Sequence, residues 1–203
     1  MEHPETSPPL KALVGLGNPG PEFEWTRHNA GFDVMDALAA KLGCAFSFDN
    51  ELNALVARPD SQTLIVKPQT GMNDSGATVK TLVDKLGVNP SNVAIVYDDV
   101  SMPLGKLRFA AKGSAGGHHG IESTIAELGG VTTFTRVRVA VGPDPGGAER
   151  FKFVLSPIAA DLRDLYRRVV DTSADACQLW LAASVDACMC KYNGLDLTRT
   201  SAP

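Results

Sequence analysis

The sequence lacks several features, and each absence narrows what the chain can be. It has no run of roughly 18 apolar residues, so no membrane-spanning helix is expected. Its first residues, M-E-H-P-E-T-S-P-P, have no basic region followed by an apolar one. They do not form a secretory signal and read as a short disordered lead over residues 1–9. Cysteine is sparse, and Cys44, Cys177, Cys188 and Cys190 show no C-x-x-C spacing. That pattern argues against a zinc site or a disulfide framework and for a reduced, cytosolic chain. There is no H-E-x-x-H pair, no G-x-S-x-G nucleophile elbow, no internal repeat and no domain boundary. Nor is there an excess of positive charge: the formal net charge is −4. The basic residues nevertheless cluster, as Lys106, Arg108 and Lys112, then Arg136 and Arg138, then Arg150 and Lys152, and clustering matters more than the total for a polyanionic partner.

What is present suits one sizeable globular domain: 203 residues, 44% apolar and 21% charged. The most informative stretch is G-L-G-N-P-G-P-E-F-E-W-T-R-H-N-A-G-F, Gly15 to Phe32. It follows an apolar run, Leu10 to Val14, that reads as a first strand, and it leads into an amphipathic helix carrying Phe32, Met35, Leu38, Ala39 and Leu42 and stopped by Gly43. A turn-rich loop between a buried strand and a helix is where α/β proteins place chemistry. Gly15-x-Gly17-x-x-Gly20 matches a dinucleotide fingerprint, but Pro19 and Pro21 remove N–H groups a pyrophosphate would need, and no helix opens at Gly20. His28, beside Arg27 and Asn29, is the leading catalytic candidate.

Further along, residues 52–58 and 62–67 read as strands joined by Pro59-Asp60-Ser61. The loop Gln69 to Gly76 follows, and then a helix with Val79, Leu82, Val83 and Leu86 on one face. In that loop Met72 suits a core position and Asn73 either an N-cap or a ligand contact. Val93 to Tyr97 is the continuous apolar run of a central parallel strand, ending at Asp98-Asp99, where carboxylates face the ligand crevice of an open α/β sheet. Lys106 to Ala110 reads as a hairpin-like strand and Ile121 to Leu128 as a helix. Thr135 to Gly142 reads as a half-exposed strand with Arg136 and Arg138 on one face. Residues 143–155 read as a loop or lid. Ser156-Pro157 reads as the start of a long last helical region, 157–192, with Trp180 in its core stripe, and 194–203 as a flexible tail.

The polar candidates, Asn18, His28, Asn73, Asp98, His118 and His119, all fall in loops at strand ends. A His–Asp pair makes a general base, the carboxylate orienting the imidazole while its other nitrogen takes a proton. The rivals are a serine nucleophile at Ser75 or Ser114, and a metal held through His118-His119, although adjacent histidines usually point apart.

Five runs occur in order between residue 13 and about residue 155: G-L-G-N-P-G-x-x-F-x-x-T-R-H-N-A-G-F, K-P-Q-T-G-M-N-D-S-G, Y-D-D-V-S-M-P-L-G-K-L-R, K-G-S-A-G-G-H-H-G and F-T-R-V-R-V-A-V-G-P. Together they resemble the bacterial-type peptidyl-tRNA hydrolases. The resemblance implies an α/β fold, a single three-layer α/β/α domain over residues 10–193 with a mixed, mostly parallel central sheet. It implies hydrolysis of the ester joining a peptide to the 3′-terminal ribose of tRNA, in a cytoplasmic, usually monomeric enzyme that recycles tRNA with no metal or nucleotide cofactor. By position, His28 resembles the family's catalytic base and Asp98 its supporting carboxylate. Asn18, Met72, Asn73 and His119 fall at substrate-binding positions. Arg138 resembles a residue that meets tRNA phosphate, with Lys106, Arg108 and Lys112 beside it. Three positions depart from the family: Gly71 replaces an aromatic, Ala110 a second phosphate-clamping base, and His119 an asparagine. Two other readings are a non-catalytic RNA-binding relative, such as a splicing accessory factor, which would not need His28 and Asp98, and a small-molecule hydrolase or transferase, against which the basic strand residues argue.

Overall fold

The computed structural model describes residues 9–199, so most of the expected lead and the last residues of the expected tail lie outside the described residues. Among the described residues seven strands form one sheet: β1 (Lys11–Gly15), β2 (Ser47–Asp49), β3 (Ala54–Asp60), β4 (Thr63–Pro68), β5 (Val93–Pro103), β6 (Leu107–Ala110) and β7 (Thr135–Gly142). Their order is β2-β3-β4-β1-β5-β7-β6. The four middle strands, β4, β1, β5 and β7, are parallel, and the antiparallel pairs lie at the edges.

Strand periodicity divides the core in two. Leu13 and Val96 point to one side, against Val34, Met35 and Leu38 of α1 (Ala30–Lys41), Val169 of α5 (Arg163–Ala182) and Cys188 of α6 (Val185–Tyr192). Ala12, Val14 and Ile95 point to the other, against Val79 and Leu82 of α2 (Ser75–Asp84) and Ile121 of α3 (His119–Glu127). The result is the three-layer α/β/α arrangement with a mixed, mostly parallel sheet. Trp180 belongs to the core, and its indole N–H donates to Thr135 Oγ1 at 3.2 Å.

Several local expectations are corrected. Strand β5 runs on to Pro103, so Asp98 and Asp99 lie within it rather than at its end. Strand β3 continues through Pro59 and Asp60, and the turn is Ser61-Gln62, held by the Asp60 carboxylate accepting from Gln62 N at 2.8 Å. Strand β6 pairs antiparallel with β7 rather than forming a hairpin with β5. Strand β7 is buried rather than half-exposed, because loops cover its arginine face, and Arg136 is only 2% exposed. Asn73 is not a helix cap; it lies in a 3₁₀ turn, Met72–Asp74, and Asp74 occupies the position before α2.

The last helical region does not start at Ser156-Pro157. Arg27 holds the carbonyls of both residues, Pro157 makes a bridge with Thr26, and regular helix begins only at Arg163. It then breaks at Ala183, whose backbone is extended, and Ser184 starts α6 by accepting from Ala187 N. Within the segment read as a loop, residues Glu149–Val154 form α4.

Candidate active site

The site is built on the carboxyl side of the parallel strands, where connecting loops converge. Two glycines close the first loop. A β-carbon on Gly15 would lie 2.3 Å from the Gly31 carbonyl oxygen, and one on Gly31 would lie 2.4 Å from backbone atoms of Leu16 and Val96. The first turn of α1 therefore rests directly on β1 and β5. Inside the loop, buried Asn29 takes up both backbone groups of Asn18: its Oδ1 accepts from Asn18 N at 2.8 Å and its Nδ2 donates to Asn18 O at 2.9 Å. The Asn18 side chain then accepts from the Met72 amide at 2.9 Å, which joins this loop to the one after β4 and leaves its own N–H₂ donors uncommitted among the described residues.

His28 sits in a 3₁₀ turn, Arg27–Asn29, at the entrance to α1. Arg27 anchors that turn from below. Its guanidinium donates to Ser156 Oγ at 2.7 Å and to the Pro157 carbonyl at 2.9 Å, and it lies over the Phe153 ring at 4.1 Å. His28 Nδ1 meets Asp98 Oδ1 at 2.7 Å, and the same oxygen meets His118 Nε2 at 3.0 Å. The Asp98 side chain is 2% exposed and that of His28 is 14% exposed. His118 Nδ1 accepts a long bond of 3.4 Å from Ile121 N, so its Nε2 carries the proton given to Asp98. His28 gives its Nδ1 proton to the carboxylate, and its Nε2 keeps a lone pair with no partner among the described residues. Burial opposes ionisation of Asp98, but the imidazoles of His118 and His28 outweigh it and hold the carboxyl well below the usual carboxylate range.

These groups open on a cleft of about 1030 Å³. Asn18, His28, Met72, Asn73, His119 and Arg138 all line it, so the structure brings together the residues singled out for base and substrate contact. Met72 is 4% exposed and forms apolar floor, whereas Asn73 and His119 are exposed at the wall. Phe151, Val154 and Leu155, on or just after α4, give the cleft an apolar side, and Phe151 is exposed.

Lys112 lies at the cleft, but Lys106 and Arg108 do not line it. Arg108 is directly opposite Arg138 across the β6–β7 ladder, so the two share one face, while Lys106 stands 3.8 Å from Asp196. Arg138 is paired with Asp99 at 2.6 Å. Ser75 is no nucleophile for His28: its hydroxyl donates to the carbonyls of Gly71 and Met72.

The sequence reading placed His118 among the polar candidates and weighed it as a metal ligand, but gave it no part in the His–Asp pair or in substrate contact. Two adjacent histidines do not reveal which one turns inward. The helix start decides which one reaches Asp98: His118 is the N-cap, with extended backbone, while His119 is the first helical residue and is exposed at the cleft wall. His28, Asp98 and His118 offer one ligand atom each within 4.8 Å of one another, a spacing a metal could use. As hydrogen-bonded here, however, both ring nitrogens turned to the carboxylate carry protons, and a metal takes lone pairs. The donor set as arranged suits an oriented base.

A protein-family model described as peptidyl-tRNA hydrolase matches residues 12–200. A peptidyl-tRNA hydrolase of Desulfitobacterium hafniense (strain Y51) is 37% identical over 187 residues, covering 91% of this chain and all of the relative. One from Brevibacillus brevis is 38% identical over 190 residues, covering 92% of this chain and 99% of the other. Among solved structures, the crystal structure of peptidyl-tRNA hydrolase from Acinetobacter baumannii superposes with a TM-score of 0.86 at 27% identity, over 92% of this chain and 96% of that one.

Proposed function

The chain belongs to the peptidyl-tRNA hydrolase family, and from that premise we infer how its cleft works. The reaction is hydrolysis of the ester between a peptide and tRNA, a carboxylic ester hydrolysis that recycles tRNA in translation. In our reading His28 Nε2 takes a proton from a water molecule, and the water oxygen attacks the ester carbonyl carbon. Asp98 fixes the tautomer and stabilises the imidazolium that forms. When the tetrahedral intermediate collapses, the bond to the ribose 3′-oxygen breaks and the His28 proton goes to that oxygen. The products are a peptide carboxylate and a free tRNA 3′-hydroxyl.

Asn18 and Asn73 offer amides to the peptide backbone rather than to side chains, which suits an enzyme that accepts many peptides. His119 presents a ring nitrogen donor to the developing oxyanion or to the water. Met72 lines the floor. Arg138, Lys112, Arg108 and Lys106 form the face that meets tRNA phosphates, and residues 143–155 act as a lid whose roots are pinned by Arg27. We place the reaction in the cytoplasm and take the enzyme to be a monomer built as one domain over residues 10–193. Among the described residues no helix is long and apolar enough to cross a membrane.

The observation that carries this reading is the 2.7 Å contact between His28 Nδ1 and a buried, ionised Asp98 at the mouth of the cleft. A non-catalytic RNA-binding relative would have no use for it. The test is release of the amino acid from an N-blocked aminoacyl-tRNA, compared with free aminoacyl-tRNA, with and without a chelator. We expect the blocked substrate to be cleaved and the chelator to have no effect. His28→Ala should lower single-turnover hydrolysis by at least ~100-fold with tRNA affinity retained. Near-normal hydrolysis by that variant would remove His28 from the mechanism, and inhibition by the chelator would turn the His28–Asp98–His118 trio into a metal site.

A further inference from the structure

Arg136 is a buried charge that the mechanism above does not use. It lies on β7 with its side chain 2 residues from that of Arg138 on the same face, yet the two are treated differently. Arg138 has a carboxylate partner, Asp99, at 2.6 Å. Arg136 has none among the described residues. All three of its hydrogen bonds go to backbone carbonyls: Gly113 O at 2.6 Å, Thr132 O at 2.9 Å and Phe134 O at 3.4 Å. Its guanidinium also lies over the Phe134 ring at 4.2 Å, and its Nε is buried without a partner. A buried guanidinium compensated only by neutral acceptors is a costly way to fill space.

The identity of those carbonyls explains the arrangement. Gly113 lies in the segment that leads into α3, and Thr132 and Phe134 lie in the segment that leads out of it. Arg136 therefore staples the two ends of one loop–helix–loop unit, residues 111–134, at its neck. At the inner tip of that unit is His118, held by a turn from its own amide to Ala115 O at 3.1 Å and donating to Asp98. Four residues separate the stapled Gly113 from His118, and Gly116 and Gly117 among them have left-handed backbone, so little else stiffens that stretch. On the far side the unit is docked by Ser123 Oγ accepting from Gly76 N at 3.0 Å.

We propose that Arg136 is a positioning residue for hydrolysis: its three-carbonyl staple sets the 111–134 unit so that His118 reaches Asp98, and through Asp98 it fixes the orientation of His28. The proposal rests on the reading of Asp98 and His28 as the catalytic pair. A planar fork with several donors in fixed directions can reach both segments at once, which a lysine ammonium cannot do in the same way.

The experiment compares Arg136→Lys, Arg136→Gln, His118→Asn and the double variant Arg136→Lys/His118→Asn, using single- and multiple-turnover hydrolysis of N-blocked aminoacyl-tRNA and imidazole NMR of the same samples. Arg136→Lys keeps the charge but loses the fork. It should lower kcat about tenfold or more and leave KM within about twofold, because Arg136 borders the cleft but is only 2% exposed and turns its donors to backbone carbonyls. The wild-type His118 Nε2–H signal should be protected from exchange and should lose that protection in Arg136→Lys. The combination with His118→Asn should be no worse than the poorer single variant by more than about twofold, since both changes break one chain of contacts. A rise in KM at constant kcat, fully additive losses, or a protected His118 signal in Arg136→Lys would each overturn the proposal. The NMR signal reads the positioning directly, so it decides even if His28→Ala shows that the catalytic pair was wrongly chosen. Arg136→Gln gives a second variant should the lysine form not fold. If neither folds, Arg136 is a folding determinant and the positioning role is overturned.

Discussion

The loop from Gly15 to Gly31 separates two clefts, and each has an aspartate in its wall, Asp98 buried and Asp33 half-buried. On the side of the proposed active site, Asp98 accepts from two imidazoles and is held below the usual carboxylate range. On the other side, in a cleft of about 720 Å³ between the loop, α1 and α5, Asp33 accepts one bond, from the Tyr166 hydroxyl at 2.5 Å. Burial dominates there, the single phenol does not offset it, and nearby Asp36 adds to the shift, so the Asp33 carboxyl is pushed up to about 6. Asp98 is buried and Asp33 only half-buried, yet the deeper carboxyl is the one held low and the shallower one is raised, so the difference comes from the number and kind of donors rather than from depth. Asp98 keeps its negative charge well below neutral pH, whereas Asp33 gains a proton as pH falls through about 6.

That contrast can be broken most sharply at Asp98. Asp98→Asn should lower kcat by about 100-fold or more, by misorienting His28, with tRNA affinity nearly unchanged. A defect confined to affinity would remove Asp98 from its supporting role. The next test moves along the catalytic wall. His119→Ala should cost more than about tenfold, on the scale of one oxyanion donor, whereas His119→Asn should stay within about tenfold. Full activity of the alanine variant would place His119 outside the reaction. At the rim, Arg138→Ala should flatten the log–log salt dependence of tRNA binding by roughly one unit. An unchanged slope together with unchanged affinity would move the tRNA face elsewhere on the molecule.

The smallest effect is expected across the loop, and it is an effect on stability alone. The folded value of Asp33, about 6, lies above its unfolded value of roughly 3.9, so folding favours the neutral form. The contribution is fully present below about pH 4 and is lost as pH rises through 6. Asp33→Asn should therefore stabilise the protein by about 1–3 kcal/mol at pH 7, a gain that fades toward pH 4, with hydrolysis unaltered. Urea unfolding of both proteins from pH 4 to 8 measures it. Equal stability across that range would mean that Asp33 stays ionised.

The parts of this contrast that follow local chemistry were legible in the sequence. A turn-rich loop after a buried strand, and a carboxylate following Val93 to Tyr97, pointed to His28 and Asp98 without tertiary information. The three-layer arrangement came from the resemblance to the peptidyl-tRNA hydrolases rather than from periodicity. What could not be read depended on partners distant in the chain. Arg136 alternates with valines and reads as a surface residue until the loops at Gly113 and Thr132 are seen to cover it. Ser156-Pro157 carries the signature of a helix start, yet Arg27, more than a hundred residues earlier, holds both carbonyls in extended chain. The choice between His118 and His119 rests on which backbone turns extended at the start of α3, and two identical side chains in sequence hold no trace of it.

The meeting of Gly15 with Gly31 has a consequence for how this enzyme could vary. Because the two ends of the loop touch, the chain between them is an Ω-shaped excursion that leaves the scaffold and returns to the same spot. The cost of closing such an excursion grows only with the logarithm of its length. Its outer arc, around exposed Glu22 and Glu24, is thus insulated from its base, where Asn29 and His28 are fixed. Residues could be added or exchanged in that arc over evolutionary time, or by design, without moving the imidazole from its carboxylate.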